Sequence, residues 1–395
     1  MLTCAHVFLI GNLKSDIGMA IDTVSLLSSL VSIPSVNPLI APDEGAGEVE
    51  IAAFAAEWLT ARGVKAWVDE IAPGRSNTVA EVGPGNGPTL VLCAHLDTVG
   101  TTGMARPPFE GAVEGARVYG RGAYDMKGSV AAIMTTLARL AAKRSLTRGR
   151  VMAALVADEE HGSLGAFDFV RRYRADACIV TEPADDILVL AHKGFAWVDV
   201  VTSGTAAHGS RWDLGVSAIG RMAPIISALE RFDREELRRR THPLVGAASM
   251  HCAMVSGGSG LSTYAAECRL QVERRTLPGE TPAQVDAELK AIVNAIDPTA
   301  QVSLTFSRDP SVVSPDAPIA RCVREAVTHV TGTTPRDGGV GFWMDAAVFS
   351  AAGVPTVNYG PLGAGAHAAV EWVDIPSVER LTDVLTTAAV RFCAA

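Results

Sequence analysis

Residues 89–97 read Thr-Leu-Val-Leu-Cys-Ala-His-Leu-Asp. Thr89–Ala94 is a short continuous apolar run, the pattern of a strand buried on both faces, and it runs straight into His95 and Asp97. Two runs of the same kind follow downstream. VMAALVA (Val151–Ala157) ends in Asp158-Glu159-Glu160, and ACIVT (Ala177–Thr181) ends in Glu182. Helical periodicity separates the runs: after Asp125, Val130, Ile133, Met134, Leu137 and Ala141 share one side. Upstream, Thr23–Val31 reads as a helix and Pro34 and Pro38 force an extended turn. A second helix from Glu48 carries Ile51, Phe54, Ala55, Trp58 and Leu59 on one face, with Gly63 as its stop. Alternating strands and helices predict an α/β fold: a mixed, mostly parallel sheet with helices on both faces.

The pattern changes at Gly194. Trp197–Thr202 alternates like a half-exposed strand, and Val216–Arg231 reads as a helix. Ala247–Val255 and Ala265–Arg275 read as strands, Thr281–Ile296 as a helix and Gln301–Phe306 as a strand. That β-α-β-β-α-β order is a ferredoxin-like split βαβ unit. The α/β character returns with a helix at Ala317–Thr331 and a strand at Thr356–Tyr359. The predicted organisation is one α/β domain, over 19–195 and 316–395, interrupted by a small α+β domain over 196–315. Residues 1–18 read as an appendage, because no basic residue precedes the apolar His6–Ile10 stretch and no small-residue cleavage site follows it; Met19 is a candidate start. Ser35–Gly47, rich in Pro, Gly and acids, reads as a surface loop.

Composition narrows the partners. Thirty-four basic against 43 acidic residues give a net charge of −9, with no basic block. That argues against nucleic acid and anionic membrane, and no apolar run is long enough for a transmembrane helix. Seven cysteines, an odd number with no C-x-x-C, argue for reduced thiols in a cytoplasm rather than a disulfide framework or thiolate zinc site.

The polar residues at the strand ends carry the chemistry. In an open α/β sheet the ligand crevice lies outside the carboxyl ends of the strands. His95, Asp125, the Glu159-Glu160 pair and Glu182 should therefore converge, joined by His367 of GPLGAGAHAAVEW. Each has an ordinary reading alone: a capping histidine, a helix-start acid pair, a loop acid. Together they place two imidazoles and at least four carboxylates in one crevice, where like charges repel. Two divalent ions resolve that cost. Nitrogen and oxygen donors without thiolate suit zinc first, with cobalt or manganese as alternatives, and a carboxylate shared by both ions is the two-metal hydrolytic arrangement.

HLDTV, GRGAYDMKG, ADEEHGSLGA, TEPAD and AHAAVEWV as a set resemble the M20 metallopeptidase/deacylase family, over about residues 20–395. That family includes acetylornithine deacetylase, succinyl-diaminopimelate desuccinylase and glutamate carboxypeptidase. The resemblance implies a zinc-exopeptidase-type catalytic domain with an inserted lid and dimerisation domain. It implies that His95 and Glu182 bind one metal, Glu160 and His367 the other, and that Asp125 bridges them, followed by a cis peptide bond. It implies Glu159 as general base to a water acidified by the metals, and Asp97 as the carboxylate that orients His95. His208, in SGTAAHGS, matches the histidine that reaches the partner subunit's active site, which implies a homodimer through the inserted domain. Arg275, in ERRTLPGET, stands where relatives grip a substrate carboxylate; the other reading is a surface arginine.

The lid departs from the pattern. Ser262 and Ala265 in GGSGLSTYA replace a usual Asn and Pro, and SRWDLGVSAI has Trp212-Asp213 for a usual Pro and Ser217 for a usual Asn. These positions face substrate in relatives, so a less usual substrate than acetylornithine or succinyl-diaminopimelate is in view. His161 is an extra imidazole without an assigned role. The reading is a dinuclear-metal amidohydrolase acting on an N-acyl amino acid or similar small carboxylated amide. The alternatives are a dipeptidase or carboxypeptidase, or a hydrolytic deaminase of a carboxylated amine, on the same centre. A non-catalytic binding protein would be expected to have lost part of the ligand set.

Overall fold

The strand Thr89–His95 is buried over its whole length and sits inside the main sheet of a computed structural model that describes residues 21–394. The expected appendage, residues 1–18, lies outside the described residues. The chain forms two compact units. One takes the chain up to Leu190, with Val313–Asp337 and everything from Met344; the other is Ala191–Val312 with Gly338–Trp343.

In the first unit Thr89–His95 pairs in parallel with Arg150–Val156 on one side and Ala177–Val180 on the other, and Thr356–Asn358 continues the parallel run beyond Ala177–Val180. Antiparallel strands flank this centre. The hairpin Lys65–Ala72/Arg75–Val82 joins Arg150–Val156, and Leu188–His192 joins Thr356–Asn358. Helices cover both faces. Gly128–Lys143, buried almost all round, packs against Ile375–Ala394 and Thr23–Val31, while Leu164–Arg172 packs against Ala346–Ala351. The predicted α/β architecture is present, with its parallel strands at the centre. The hairpin was not legible in the pattern, because Arg75, Ser76, Asn77 and Thr78 are buried polar residues inside a strand.

A small antiparallel sheet matters most for the site. Its order is Gly363–Ala364, Trp372–Asp374, Arg117–Tyr119, Ala112–Glu114. It fastens the loop bearing His367 and Glu371 to the segment that leads into Asp125.

The second unit has the β-α-β-β-α-β order read from the sequence. Its strands lie in the order Ser249–Gly257, Glu267–Thr276, Gly194–Ser203, Gln301–Arg308, all antiparallel. Two helices, Ala218–Glu235 and Pro282–Asn294, bury Met222, Ile225, Leu229, Val285, Leu289 and Val293 against Val198, Val200, Leu270 and Val272 of the sheet. Thr281 and Gln284 form a reciprocal cap on the second helix, with Pro282 at its first position. Among the described residues no helix is long and apolar enough to cross a membrane.

Candidate metal centre

Parallel neighbours end at the same edge of a sheet, so the three central strands deliver their next residues to one place. His95 is the last residue of its strand, Glu182 follows Val180 by two, and Asp158-Glu159-Glu160 follow Val156. Asp125 lies in the tight turn Ala123–Lys127 that leads into the helix Gly128–Lys143, and the Asp125–Met126 peptide is cis. His367 comes from the loop between the last two strands of the small sheet, at φ +59°.

These side chains form two groups that meet at Asp125. In the first, His95 Nε2 lies 3.1 Å from Asp125 Oδ1 and 3.6 Å from Glu182 Oε1. In the second, His367 Nε2 lies 3.3 Å from Asp125 Oδ2 and 3.1 Å from Glu160 Oε2. Within each group one ligand atom from every residue lies within 4.8 Å of the others. Two donors about 2.1 Å from one ion and tetrahedrally disposed would be about 3.4 Å apart, so the spacing fits a cation in each group. The donor set fits as well: three carboxylates and two imidazoles, with one carboxylate oxygen turned to each side. The residues support a dinuclear divalent-metal cofactor.

The electrostatics point the same way. Burial pushes the Glu159, Glu160 and Glu182 carboxyls up; Glu182 adds to the effect on Glu159, and Asp125 adds to it on Glu160. Burial opposes ionisation of Asp125 too, but His367 and His95 hold it well below the usual carboxylate range. Hydrogen bonds to Asp125 and Glu160 push His367 up to about 10. Burial works against a charged His95, yet Glu182 and Asp125 outweigh it and its pKa is raised. Asp125 alone is held ionised, by the two imidazoles. The three glutamates and both histidines are drawn toward holding a proton, a demand for positive charge that bound cations supply.

The supporting groups are buried. His95 Nδ1 is 2.9 Å from the main-chain carbonyl of Asp97 and 3.7 Å from its carboxylate. The Asp97 carboxylate instead accepts the main-chain N–H groups of Glu159 and Glu160, at 3.1 Å each. Glu371, 1% exposed, accepts from the amides of Gly122, Tyr124 and Asp125 at 3.0 Å and from Arg121 Nη1 at 2.7 Å. Sequence reasoning did not single it out; its one signal is a carboxylate four residues beyond His367, between apolar neighbours. His161 stands exposed on the turn after Glu160.

Two further candidates belong to the second unit. His208 is exposed, bridged through its backbone to Thr263, with Nδ1 2.8 Å from Ser210 Oγ. Arg275 lies on the strand Glu267–Thr276, donates from Nε to Glu273 Oε1 at 2.8 Å and stands 5.3 Å from the ring centre of Phe195.

The chain is similar to proteins of known name along nearly its full length. It is 29% identical over 389 residues to an acetylornithine deacetylase of Myxococcus xanthus, covering 95% of each chain. It is 27% identical to a succinyl-diaminopimelate desuccinylase of Methylocella silvestris, covering 93% of this chain and 97% of that one. In fold it resembles an M20 family metallo-carboxypeptidase from Sulfolobus solfataricus, with a TM-score of 0.78 at 20% identity over 95% of this chain and 100% of the other. A tripeptidase from Staphylococcus aureus gives 0.77 at 21% identity, over 94% and 98%. The profile of peptidase family M20/M25/M40 matches residues 91–391, a span that contains both ligand groups and the Glu159-Glu160 pair. On that match, and on a cluster suited to two cations, the chain belongs to peptidase family M20/M25/M40 and is a metal-dependent hydrolase.

Proposed function

We propose that the chain cleaves the amide bond of an N-acyl amino acid or a similar small carboxylated amide. The observation that carries this reading is the pair of ligand groups meeting at Asp125, with Glu159 beside the ligand Glu160 and outside both groups. In this reading His95, Asp125 and Glu182 hold one divalent cation and Asp125, Glu160 and His367 the other. Zinc suits the donors, and cobalt or manganese would fit them too. Bound there, the cations would acidify water and polarise a carbonyl. Glu159 takes the proton of the attacking water and returns it to the leaving nitrogen. Asp97 holds the amides of both glutamates, so base and ligand leave the chain from one fixed turn. The names of the curated relatives, a deacetylase and a desuccinylase, support an acyl group on an amine as the class of substrate.

The second unit, 196–315 in the sequence reading, serves here as lid and dimer surface. His208 acts across the dimer as a donor to the developing oxyanion, and Arg275 grips the substrate carboxylate. Trp212, Leu214, Met254, Val255 and Leu261 are all exposed on this unit, which supports burial against a second copy. The unusual lid residues have structural work of their own. Ser217 caps the helix Ala218–Glu235 through Gly220 N at 3.1 Å, and the buried Ala265 accepts Ala218 N at 2.9 Å.

A panel of N-acyl amino acids and dipeptides, offered to the zinc, cobalt and manganese forms, tests the reading. The expected result is hydrolysis of an N-acyl amino acid, abolished by a chelator and restored by metal. Cleavage of dipeptides alone would move the assignment to a dipeptidase or carboxypeptidase, and ammonia release to a deaminase. Two bound ions with no turnover on any amide would sink it.

A further inference from the structure

Behind the metal centre a chain of buried polar side chains leads away from the Asp158–Glu160 turn, and neither ligand group uses it. It starts at the Asp97 carboxylate. Oδ2 of Asp97 also accepts Asn37 Nδ2 at 2.8 Å, and the same amide nitrogen donates to Asp158 Oδ1 at 3.0 Å. Asp158 Oδ1 in turn accepts Arg75 Nη2 at 2.8 Å, and Arg75 is bound to Glu48 by two bonds, Nε–Oε2 at 2.7 Å and Nη2–Oε1 at 2.6 Å. Glu48, Asn37, Asp97 and Asp158 are fully buried and Arg75 is 5% exposed.

Three of these five residues are carboxylic acids in a low-dielectric interior. Unpaired, they would be expensive. Asn37 has two N–H bonds on one nitrogen, and it places one on each of the two acids nearest the metal centre. An aspartate there would add a fourth carboxyl and a leucine would leave both acids short of a donor. Arg75 supplies the positive charge and a planar fork, which suits the two-oxygen grip on Glu48 while a third bond reaches Asp158.

What this network holds is the turn that carries the base. Asp158 sits at φ +72°, a left-handed conformation that a non-glycine residue rarely takes. Its main-chain carbonyl accepts Gly162 N at 2.9 Å, closing the turn. Asn77, two residues along the strand from Arg75, holds the turn's flanks: its Oδ1 accepts Ala157 N and its Nδ2 donates to Gly165 O, both at 2.9 Å. The amides of Glu159 and Glu160 are then clamped by Asp97. We infer that Asn37 and Arg75 are positioning residues for this reaction, acting through Asp158 and Asp97 to aim the Glu159 carboxyl and the Glu160 ligand. The inference rests on the proposed roles of Glu159 and Glu160. It adds a brace from residues 37 to 75 that touches neither substrate nor metal.

The test uses the full chain carrying Asn37→Ser, too short to span both acids but still polar, and Arg75→Lys, which keeps the charge and loses the fork. Each is loaded with zinc and assayed on the fastest N-acetyl amino acid of the panel. Groups that orient ligands usually cost ~10–100-fold in metal affinity or activity when removed. The expected result for Asn37→Ser is a fall of that size in kcat with KM within about twofold, and weaker binding of one zinc ion in a calorimetric titration. At saturating zinc the Glu160 part of the effect is compensated and what remains of it passes through Glu159, so adding Asn37→Ser to Glu159→Gln should change the residual turnover by less than about twofold. Variants that melt earlier yet keep the wild-type kcat and zinc titration would show a brace for the fold only, and the inference would be wrong. A fall in kcat of equal size in both backgrounds would also overturn it. If the wild type binds two zinc ions and turns over no amide, the proposed function fails; the zinc titration of Asn37→Ser then decides the positioning role by itself.

Discussion

Glu159 and Glu160 are adjacent in sequence, yet they meet different surroundings. Glu160 faces His367 at 3.1 Å, whereas Glu159 makes no ion pair among the described residues. Glu159→Gln removes a proton acceptor and leaves the ligands in place. We expect turnover to fall by ~10²–10⁴-fold while elemental analysis still finds two metal ions. Near-normal activity in the metal-replete variant would exclude the role. At this scale the sequence was readable wherever a polar residue ends a buried strand or follows it within a few residues: His95, Glu160 and Glu182 could be read this way. Asn37 and Glu371 could not. Their work is done by hydrogen bonds to residues far along the chain, Asp158 and Asp125, and no local spacing marks that.

Among the elements, the central strands were legible because burial on both faces leaves only apolar residues in them. The small sheet was not: its strands are two or three residues long, too short for any period to show. Its connection to the site runs through Glu371. Glu371→Ala would strand Arg121 and three main-chain donors in the interior. Breaking a buried pair in this way costs about 3–5 kcal/mol, and urea unfolding should show a loss of that order together with weaker metal binding. A second element carries a pH dependence. His192 ends the strand Leu188–His192, is 2% exposed, and lies with Nδ1 3.0 Å from the Lys193 carbonyl. Burial pushes its pKa down to about 4. The unfolded chain binds a proton at this imidazole below pH ~6.5, while the folded chain resists until about pH 4. The stability from this group is therefore complete above pH ~6.5 and is lost as the pH falls toward 4, by about 3 kcal/mol. His192→Gln should remove that part of the slope, read as the difference between wild-type and variant unfolding free energies at pH 7 and pH 4. A constant difference would contradict it.

At the scale of the whole molecule, the proposed dimer makes a prediction that no single chain can satisfy. His208→Ala and Glu159→Gln should each be poorly active. Mixed and allowed to exchange subunits, they form a heterodimer in which the His208→Ala subunit keeps Glu159 and borrows the intact His208 of its partner. Loss of an oxyanion donor costs ~10²–10³-fold, so recovery of one working site per heterodimer would be plain. Heterodimers confirmed by mass with no recovered activity would refute the shared site. The change of sheet type near Gly194 was readable because the switch from buried runs to alternating strands changes the period of the sequence itself. The placement of Thr356–Asn358 next to Ala177–Val180, and of His367 opposite Asp125, has one more consequence, for how the protein is made. Synthesis runs from the N-terminus, and His95, Asp125 and Glu182 emerge long before the strand that completes the sheet beside them and before the histidine that completes the second group. A nascent chain thus has the residues of the first group well before those of the second, and the second group gains its imidazole only when His367 has been added.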